Sequence, residues 1–277
     1  MAVRPAAVAG TWYASSAAQL AADVRGYLGS AAGASTDIVP ADARLLALIA
    51  PHAGLVYSGP VAAHAYVLLE SHAFDSIVLV GPSHYVGFEG ASIWPRGAFA
   101  TPRGNLRVDA ELASSIVAAC PAVEDIPEAH AREHSLEMQL PFLAALAPDT
   151  LIVPIVMGFQ TRDTAHALAD AIVSATRGRR ALLVASTDLS HFNDAQTAAA
   201  LDEQVIACVN AFDDEGLMAL LERRADHACG GGPMVTVLRA ARALGATKSR
   251  VLRYADSGDV SGDKSSVVGY LAAAVWR

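Results

Sequence analysis

The sequence predicts a single α/β domain, spanning residues 1–277, with a central, mostly parallel or mixed sheet flanked by helices. Apolar runs of strand length alternate with segments of helical periodicity, which is typical of βαβ units. The 277 residues are 53% hydrophobic and only 17% charged, enough to bury one large core. There is no internal repeat, so a solenoid or propeller is not indicated.

The first third of the chain supplies the start of this alternation. Ser16 and Gln19 form a capping-box pattern, which predicts a helix to about Gly29. The segment Ser30–Asp42 is rich in Ala, Gly, Ser and Pro, and it is predicted to be a loop. An apolar strand, a helix over about 60–71 and a second apolar strand then follow.

The remainder continues the same rhythm. Residues 94–109 contain prolines and glycines between short apolar pieces, which indicates irregular strands or a hairpin. Helices are predicted at 110–119, from about 135, at 161–176, twice within 194–223 and at 233–244, and strands at 151–158, 181–187, 249–256 and 267–276.

Charge and composition exclude several classes of protein. A net charge of −8, with 20 basic and 28 acidic residues, argues against nucleic-acid binding. The N-terminus lacks the apolar core of a signal peptide, and no apolar stretch has the length of a membrane span, so a cytoplasmic protein is expected. Three cysteines without CxxC spacing do not indicate a disulfide framework or a zinc ribbon.

Histidines follow three of the predicted strands. His52, His84 and His191 each come shortly after an apolar run. The carboxyl ends of parallel strands meet at one edge of a sheet, and imidazoles are common ligands of zinc, iron and copper. The pattern therefore indicates either one shared site or three unconnected turn histidines. Asp188, three residues before His191, suits a metal ligand or an acid–base group, or equally the N-cap of the next helix.

Two further segments carry groups that could do chemistry. His134 and Glu137 fall on the side of a predicted helix opposite its leucine stripe. They are interpreted either as a solvated helix start or as a pair that orients a ligand or substrate. Cys229 precedes Gly230–Gly232 and Pro233, and a sulfur just before a helix N-terminus favours a thiolate that binds metal or is redox-active.

Other polar residues receive weaker assignments. Tyr254–Tyr270 concentrates Asp, Ser and Gly, which indicates an ion-binding loop or a hairpin connection with Asx turns. Cys120 and Cys208 are interpreted as small apolar fillers. No GxSxG elbow is present, which argues against a serine hydrolase.

Taken together, the motifs resemble those of the Memo family, whose prokaryotic members are also called AmmeMemoRadiSam system protein B. The resemblance runs from Arg4 to near the end of the chain and rests on RPAAVAGTWY, PHAGLVYSG, GPSHY, EHSLEMQLPFL, STDLSHF, CGGGP and YADSGDVSGDKSSVVGY.

The resemblance implies a fold similar to class III extradiol dioxygenases, which are non-haem iron enzymes. It also implies a pocket in which His52, His84 and Cys229 bind iron or copper, with zinc as a further option, completed by Asp188 and His191. Memo-like sequences often have a histidine where this chain has Val8.

Three functions follow as hypotheses. The leading one is a metal-binding redox protein or oxidoreductase, with His191 as acid or base and Asp188 orienting it or adding a ligand. The second is a zinc-dependent hydrolase with Asp188 or Glu137 as base. The third is a non-enzymatic module that binds a phosphorylated or acidic peptide, or a radical S-adenosylmethionine protein as partner.

Overall fold

Apolar strands in the middle of the chain build the main sheet. The structure is a computed structural model and describes residues 2–277. Its strands are β1 (Val3–Arg4), β2 (Leu45–Ala50), β3 (Ser76–Pro82), β4 (Ala91–Ile93), β5 (Ala98–Thr101), β6 (Gly104–Arg107), β7 (Val123–Glu124), β8 (Leu151–Met157), β9 (Ala181–Ser186), β10 (His191–Asn193), β11 (Lys248–Asp256) and β12 (Val267–Trp276).

The main sheet is mixed, with a parallel centre. Strands β2, β9, β3 and β8 are neighbours in that order and run parallel. On one side β12 pairs antiparallel with β2 and also with β11 and β10, and on the other β4 pairs antiparallel with β8 and parallel with β7. Strands β1, β5 and β6 form a separate small sheet. The predicted fold class, an α/β fold with a parallel or mixed sheet, is confirmed.

Helices cover both faces of the main sheet. They are α1 (Ala17–Thr36), α2 (Leu55–Tyr66), α3 (Ala110–Ala119), α4 (Pro127–Ala131), α5 (Leu140–Leu146), α6 (Arg162–Thr176), α7 (Ala195–Ala211), α8 (Asp214–Arg223), α9 (Gly231–Ala243) and α10 (Gly258–Ser261). Side chains alternate along each strand, so Ile77 and Leu79 join the core beneath α1, α2 and α5, whereas Val78 and Val80 join the core beneath α3, α6, α8 and α9. Both faces are therefore buried, which explains why the parallel strands are almost uninterrupted apolar runs.

Two predicted boundaries are wrong. Helix α1 continues to Thr36 through part of the expected loop, because Ala31 and Ser35 extend the buried stripe of Leu20, Val24 and Leu28. Helix α2 begins at Leu55, before Pro60, where the amide of Leu55 donates a hydrogen bond to the carbonyl of Trp12. Tertiary contacts here override the local breaker signals.

Among the other predicted elements, two are present as expected and one differs. Helix α3 spans 110–119, and the irregular segment before it contains the β5–β6 hairpin. The helix expected from about Ser135 is a short 3₁₀ turn, Glu137–Gln139, followed by α5. Within residues 2–277, no helix combines the length and apolar character needed to cross a membrane.

Candidate metal centre

Three neighbouring parallel strands deliver polar side chains to one edge of the sheet. His52, His84 and Asp188 are each the second residue after the last residue of β2, β3 and β9. Because these strands are adjacent and in register, their carboxyl ends lie side by side. His52 and His84 therefore lie at one edge, as the shared-site alternative predicted, with Asp188 beside them, whereas His191 begins β10.

Cys229 reaches the same edge from a later part of the chain. It lies in the loop before α9, and its Sγ is 3.2 Å from Nε2 of His52. One ligand atom each from His52, His84 and Cys229 all lie within 4.8 Å of one another, so the three side chains could hold a metal ion. Gly230 is needed for this approach, because a Cβ there would lie 2.4 Å from the carbonyl oxygen of Ser186.

Ser186 fixes the tautomer of His52. Its hydroxyl donates to the carbonyl of Ser135 at 2.6 Å, and it accepts from Nε2 of Gln139 at 2.7 Å. Its only proton is thereby used, so Nδ1–H of His52, at 2.9 Å, must donate to it. The lone pair of His52 Nε2 then points to Cys229, as a metal ligand requires.

Glu133 fixes the tautomer of His84 in the same way. Its Oε1 accepts Nδ1–H of His84 at 2.9 Å, and its Oε2 accepts the backbone N–H of His84 at 2.6 Å. Backbone N–H groups of His134 and Ser135 donate to Oε1 as well. Burial raises the pKa of Glu133, but the hydrogen bonds from His84 and Ser135 outweigh it and hold this pKa at about 2. His84 is thus left with Nε2 free for a metal.

Sequence reasoning missed both of these supporting residues. Glu133 is 2% exposed and lies directly before His134, inside a motif that was already singled out. Ser186 is the last residue of β9 and fully buried. A polar residue ending an apolar strand was the available signal, but sequence alone does not say which ring it faces.

The surroundings of Cys229 favour a protonated thiol in the absence of metal, whereas the sequence predicted a thiolate. Burial raises the pKa of Cys229 above the ordinary value, and the nearby carboxylate of Asp188 adds to this. Since metal binding displaces the thiol proton, the residue still fits a soft metal ligand. His52 is suited as well, because burial lowers its pKa well below the usual value and keeps it neutral.

Asp188 supports the turn that carries His52. Its Oδ1 accepts the backbone N–H groups of His52 and Ala53 at 2.7 and 3.3 Å. Burial raises its pKa to about 6, against the lowering effect of these hydrogen bonds. The alternative that Asp188 caps the next helix is wrong, because the N-cap of α7 is Asp194.

His191 lies at the rim of the centre rather than within it. It begins β10 and is partly exposed, and its charge influences both His52 and Asp188. Within residues 2–277, no hydrogen bond joins its ring to Asp188. The acid–base role of His191 stays a prediction.

His134 and Glu137 are buried, so they do not form a solvated helix start. The ring of His134 stacks on that of His84, with centroids 4.4 Å apart, and also contacts Trp12 at 4.2 Å. Burial, followed by the proximity of the His52 and His84 rings, lowers the pKa of His134 to about 3. Glu137 faces away, towards the N-terminal segment, where it pairs with Arg4 and accepts the hydroxyl of Tyr13 at 2.7 Å.

A second group of potential ligands overlaps the first. Ligand atoms of His84, Glu133 and His134 also lie within 4.8 Å of one another. The carboxylate of Glu133, however, already accepts four hydrogen bonds. These contacts make it a support for His84 rather than a ligand in its own right.

The segment Tyr254–Tyr270 comprises the end of β11, the connection to β12 and the start of β12. Nζ of Lys264 lies 2.7 Å from Asp256 and 2.6 Å from Asp259, in the position that a cation would take. Asp263 accepts the backbone N–H and the hydroxyl of Ser265 in an Asx turn. The structure thus favours the hairpin interpretation over an ion-binding loop.

Four exposed aromatic side chains, the aromatic rim, come after strands that end at the same edge of the sheet as the centre. Tyr57, Tyr85, Phe159 and Phe192 follow β2, β3, β8 and β9, and they are 39%, 47%, 53% and 79% exposed. The other aromatic side chains in residues 2–277 are buried or half-buried. Phe192 also adopts a left-handed backbone, with φ of 62°, which is unusual for a bulky residue.

Comparisons with known proteins agree with the sequence motifs. A protein of Methanothermobacter thermautotrophicus named as a MEMO1 family protein is 39% identical over 272 residues, covering 97% of this chain and 98% of the relative. Another MEMO1 family protein, from Caldivirga maquilingensis, is 36% identical over 282 residues, covering all of both chains.

One solved structure shares the fold. It is an uncharacterized protein of Escherichia coli K12, with a TM-score of 0.55 and 17% sequence identity, and the match covers 82% of this chain and 99% of that one. At this identity the likeness concerns the fold alone.

The family model described as Memo-like protein matches residues 4–274, which include every residue of the centre described above. The chain therefore belongs to the Memo-like protein family.

Proposed function

We propose that this protein is a metal-dependent redox protein that binds iron or copper through His52, His84 and Cys229. The observation that carries the proposal is the pair of hydrogen bonds from Nδ1 of His52 to Ser186 and from Nδ1 of His84 to Glu133. Both direct the free Nε2 atoms of the two rings towards the centre. A bound iron or copper ion would supply one-electron chemistry that no side chain here provides.

The chain's own residues hold and enclose the centre. Asp188 fixes the backbone of His52 and Ala53, and the stacked ring of His134 restricts the movement of His84. His191, partly exposed at the rim, is placed to exchange a proton with a substrate that enters from solvent. Its replacement by Asn is expected to leave metal content unchanged and to reduce turnover.

Element analysis after anaerobic purification tests the ligand set. The wild type is expected to contain near-stoichiometric iron or copper, and His84→Ala and Cys229→Ser are expected to lose most of it. His64→Ala and Cys208→Ser are matched controls, because neither residue belongs to the centre. No metal in the wild type after anaerobic loading with Fe(II), Cu(I) and Zn(II) would refute the proposal.

A second measurement separates redox chemistry from zinc-dependent hydrolysis. Iron- or copper-loaded protein is expected to consume dioxygen in the presence of ascorbate, and Cys229→Ser is expected to lose this activity. If only zinc-loaded protein is active, and it hydrolyses p-nitrophenyl acetate independently of oxygen, the hydrolase hypothesis replaces the redox one.

The exposed aromatic rim favours a second function, the binding of a peptide or protein partner at the same edge. Aromatic residues are enriched at interfaces, and Arg132 lies over the ring of Tyr85 at 5.1 Å, which adds a positive charge suited to a phosphorylated or acidic peptide. A radical S-adenosylmethionine protein is the alternative partner. A complex with such a peptide or protein that persists in the double variant His52→Ala/His84→Ala but is lost in Phe192→Ser would support this function.

A further inference from the structure

A cavity borders the centre on the side of Cys229. It has a volume of about 550 Å³ and lies between the loop after β8, helix α8 and the start of α9. This volume is in the range of pockets that bind small molecules, roughly 300–1,000 Å³. Of the three proposed metal ligands, only Cys229 lines it.

The wall of the cavity is mostly apolar. Phe159, Met218, Leu221, Ala225 and Ala228 line it. Phe159 is one of the four exposed rim aromatics, so the cavity opens at the same edge of the sheet as the metal centre. An occupant is therefore expected to contact the protein mainly through apolar surface.

The charged side chains of the lining neutralise each other. Arg162 forms two hydrogen bonds with Glu222, from Nε at 2.9 Å and from Nη2 at 2.8 Å. Both residues are partly exposed, at 33% and 47%, and so lie at the opening. A charged ligand would have to break this pair, whereas a neutral one leaves it intact.

The amide of Gln160 is also occupied by the protein itself. Its Nε2 donates to the carbonyl of Cys229 at 2.7 Å, and its Oε1 accepts the backbone N–H of Gly232 at 2.7 Å. Gln160 therefore ties the cavity wall to the loop that carries Cys229.

We propose that the substrate of the metal centre is a small neutral molecule and that its apolar part binds in this cavity, beside Cys229. This inference rests on the proposed metal-dependent function and adds the substrate class to it. Occupancy of the cavity also adjusts the geometry at the sulfur, because Gln160 links the two.

The first experiment measures cavity binding without metal. The metal-free full chain is titrated with N-phenyl-1-naphthylamine, a neutral apolar probe whose fluorescence rises on burial. One saturable site is expected, with affinity at least tenfold weaker in Ala225→Trp, which fills the cavity from its exposed rim. Phe159→Ala is a second variant expected to weaken binding, and Ala199→Trp, at an exposed position on α7, is the matched control.

This titration decides whether the cavity binds a neutral apolar molecule. Absence of a saturable site, or equal affinity in wild type, Ala225→Trp and Phe159→Ala, overturns the proposal. Because no metal is present, the result does not depend on whether the centre binds metal.

The second experiment tests the link to the centre. Co(II)-loaded protein is titrated with the same probe while the visible ligand-field bands of the ion are recorded. A change in these bands in the wild type but not in Ala225→Trp, at equal metal content, supports the proposal. Probe binding without any spectral change disproves the connection to Cys229, and failure to bind any metal refutes the proposed function instead.

Discussion

Glu133 and Glu137 lie four residues apart on one segment, are 2% and 0% exposed, and each accept four hydrogen bonds. Glu133 faces the candidate metal centre and orients His84. Glu137 faces the other way and holds the N-terminal segment through Arg4, two backbone N–H groups and Tyr13. Similar burial and similar hydrogen-bond counts thus occur in two different settings, one at the candidate metal centre and one at the N-terminal segment.

The difference between the two glutamates lies in what they leave free. The groups that bind Glu137 are fully used within the protein. The guanidinium of Arg4, for example, is 1% exposed and is paired with Glu137. Glu133 instead binds one ring nitrogen of His84 and leaves the other available. A buried carboxylate indicates a functional site when its partner keeps an unused lone pair.

Glu137→Gln is expected to have the largest effect, and the effect should be on stability. It leaves Arg4 buried without a counter-charge, which costs about 3–5 kcal/mol of unfolding free energy. Urea denaturation at pH 7 measures this, with Glu203→Gln on the exposed side of α7 as a near-neutral control. If Glu137→Gln is as stable as the wild type, the structural role assigned to Glu137 is wrong.

Low pH is expected to destabilise the region around Glu137 and Arg4 through His130, whose backbone carbonyl accepts a hydrogen bond from Arg4. Burial, followed by the charge of Arg4, lowers the pKa of His130 to about 4. Between pH 6.5 and 4 the unfolded chain binds a proton that the folded ring does not, so stability falls as pH falls, by about 3 kcal/mol over the full window.

His130→Gln isolates this contribution. The advantage of the wild type over the variant in unfolding free energy, measured with urea on metal-free protein, should shrink as the pH is lowered from 7 to 4.5. Comparing the two proteins cancels the opposite contribution of Asp188, whose pKa is raised. A difference independent of pH would contradict the neutral, buried state of His130.

Glu133→Gln is expected to act on the metal. Loss of the carboxylate that orients His84 should reduce metal affinity roughly 10- to 100-fold, as is usual for residues that support a metal-bound histidine. Competition with a chelator of known affinity measures this. The same measurement on folded Glu137→Gln should give a metal affinity close to that of the wild type. A greater loss of metal affinity in Glu137→Gln than in Glu133→Gln would contradict the roles of the two glutamates.

Ser186→Ala should have the smallest effect. This change removes the acceptor for Nδ1–H of His52 and leaves the backbone of β9 intact. We therefore expect metal affinity to fall by about tenfold, the lower end of the range for residues that support a metal-bound histidine. Thr187 is the adjacent control, because Thr187→Ser keeps the hydroxyl that accepts the N–H of Gly230. Equal affinity in Ser186→Ala and wild type would show that His52 is oriented without Ser186.

The sequence by itself determined the fold class. Apolar runs before His52 and His84 indicated that these two histidines could meet, because parallel strands end at a common edge, but the same pattern included His191, which lies in β10 instead. Asp188 and Cys229 were candidates from their positions beside His191 and before a predicted helix N-terminus. The family followed from motifs distributed over nearly the whole chain.

Only the tertiary structure decided what each polar residue faces. Periodicity places His134 and Glu137 on one side of a helix, but it does not show that His134 stacks on His84 while Glu137 turns to Arg4. It does not reveal Glu133 or Ser186 as supports, or that burial raises the pKa of the Cys229 thiol. The reason is physical: hydrogen-bond direction and desolvation depend on neighbours up to 177 residues away along the chain, which no local pattern encodes.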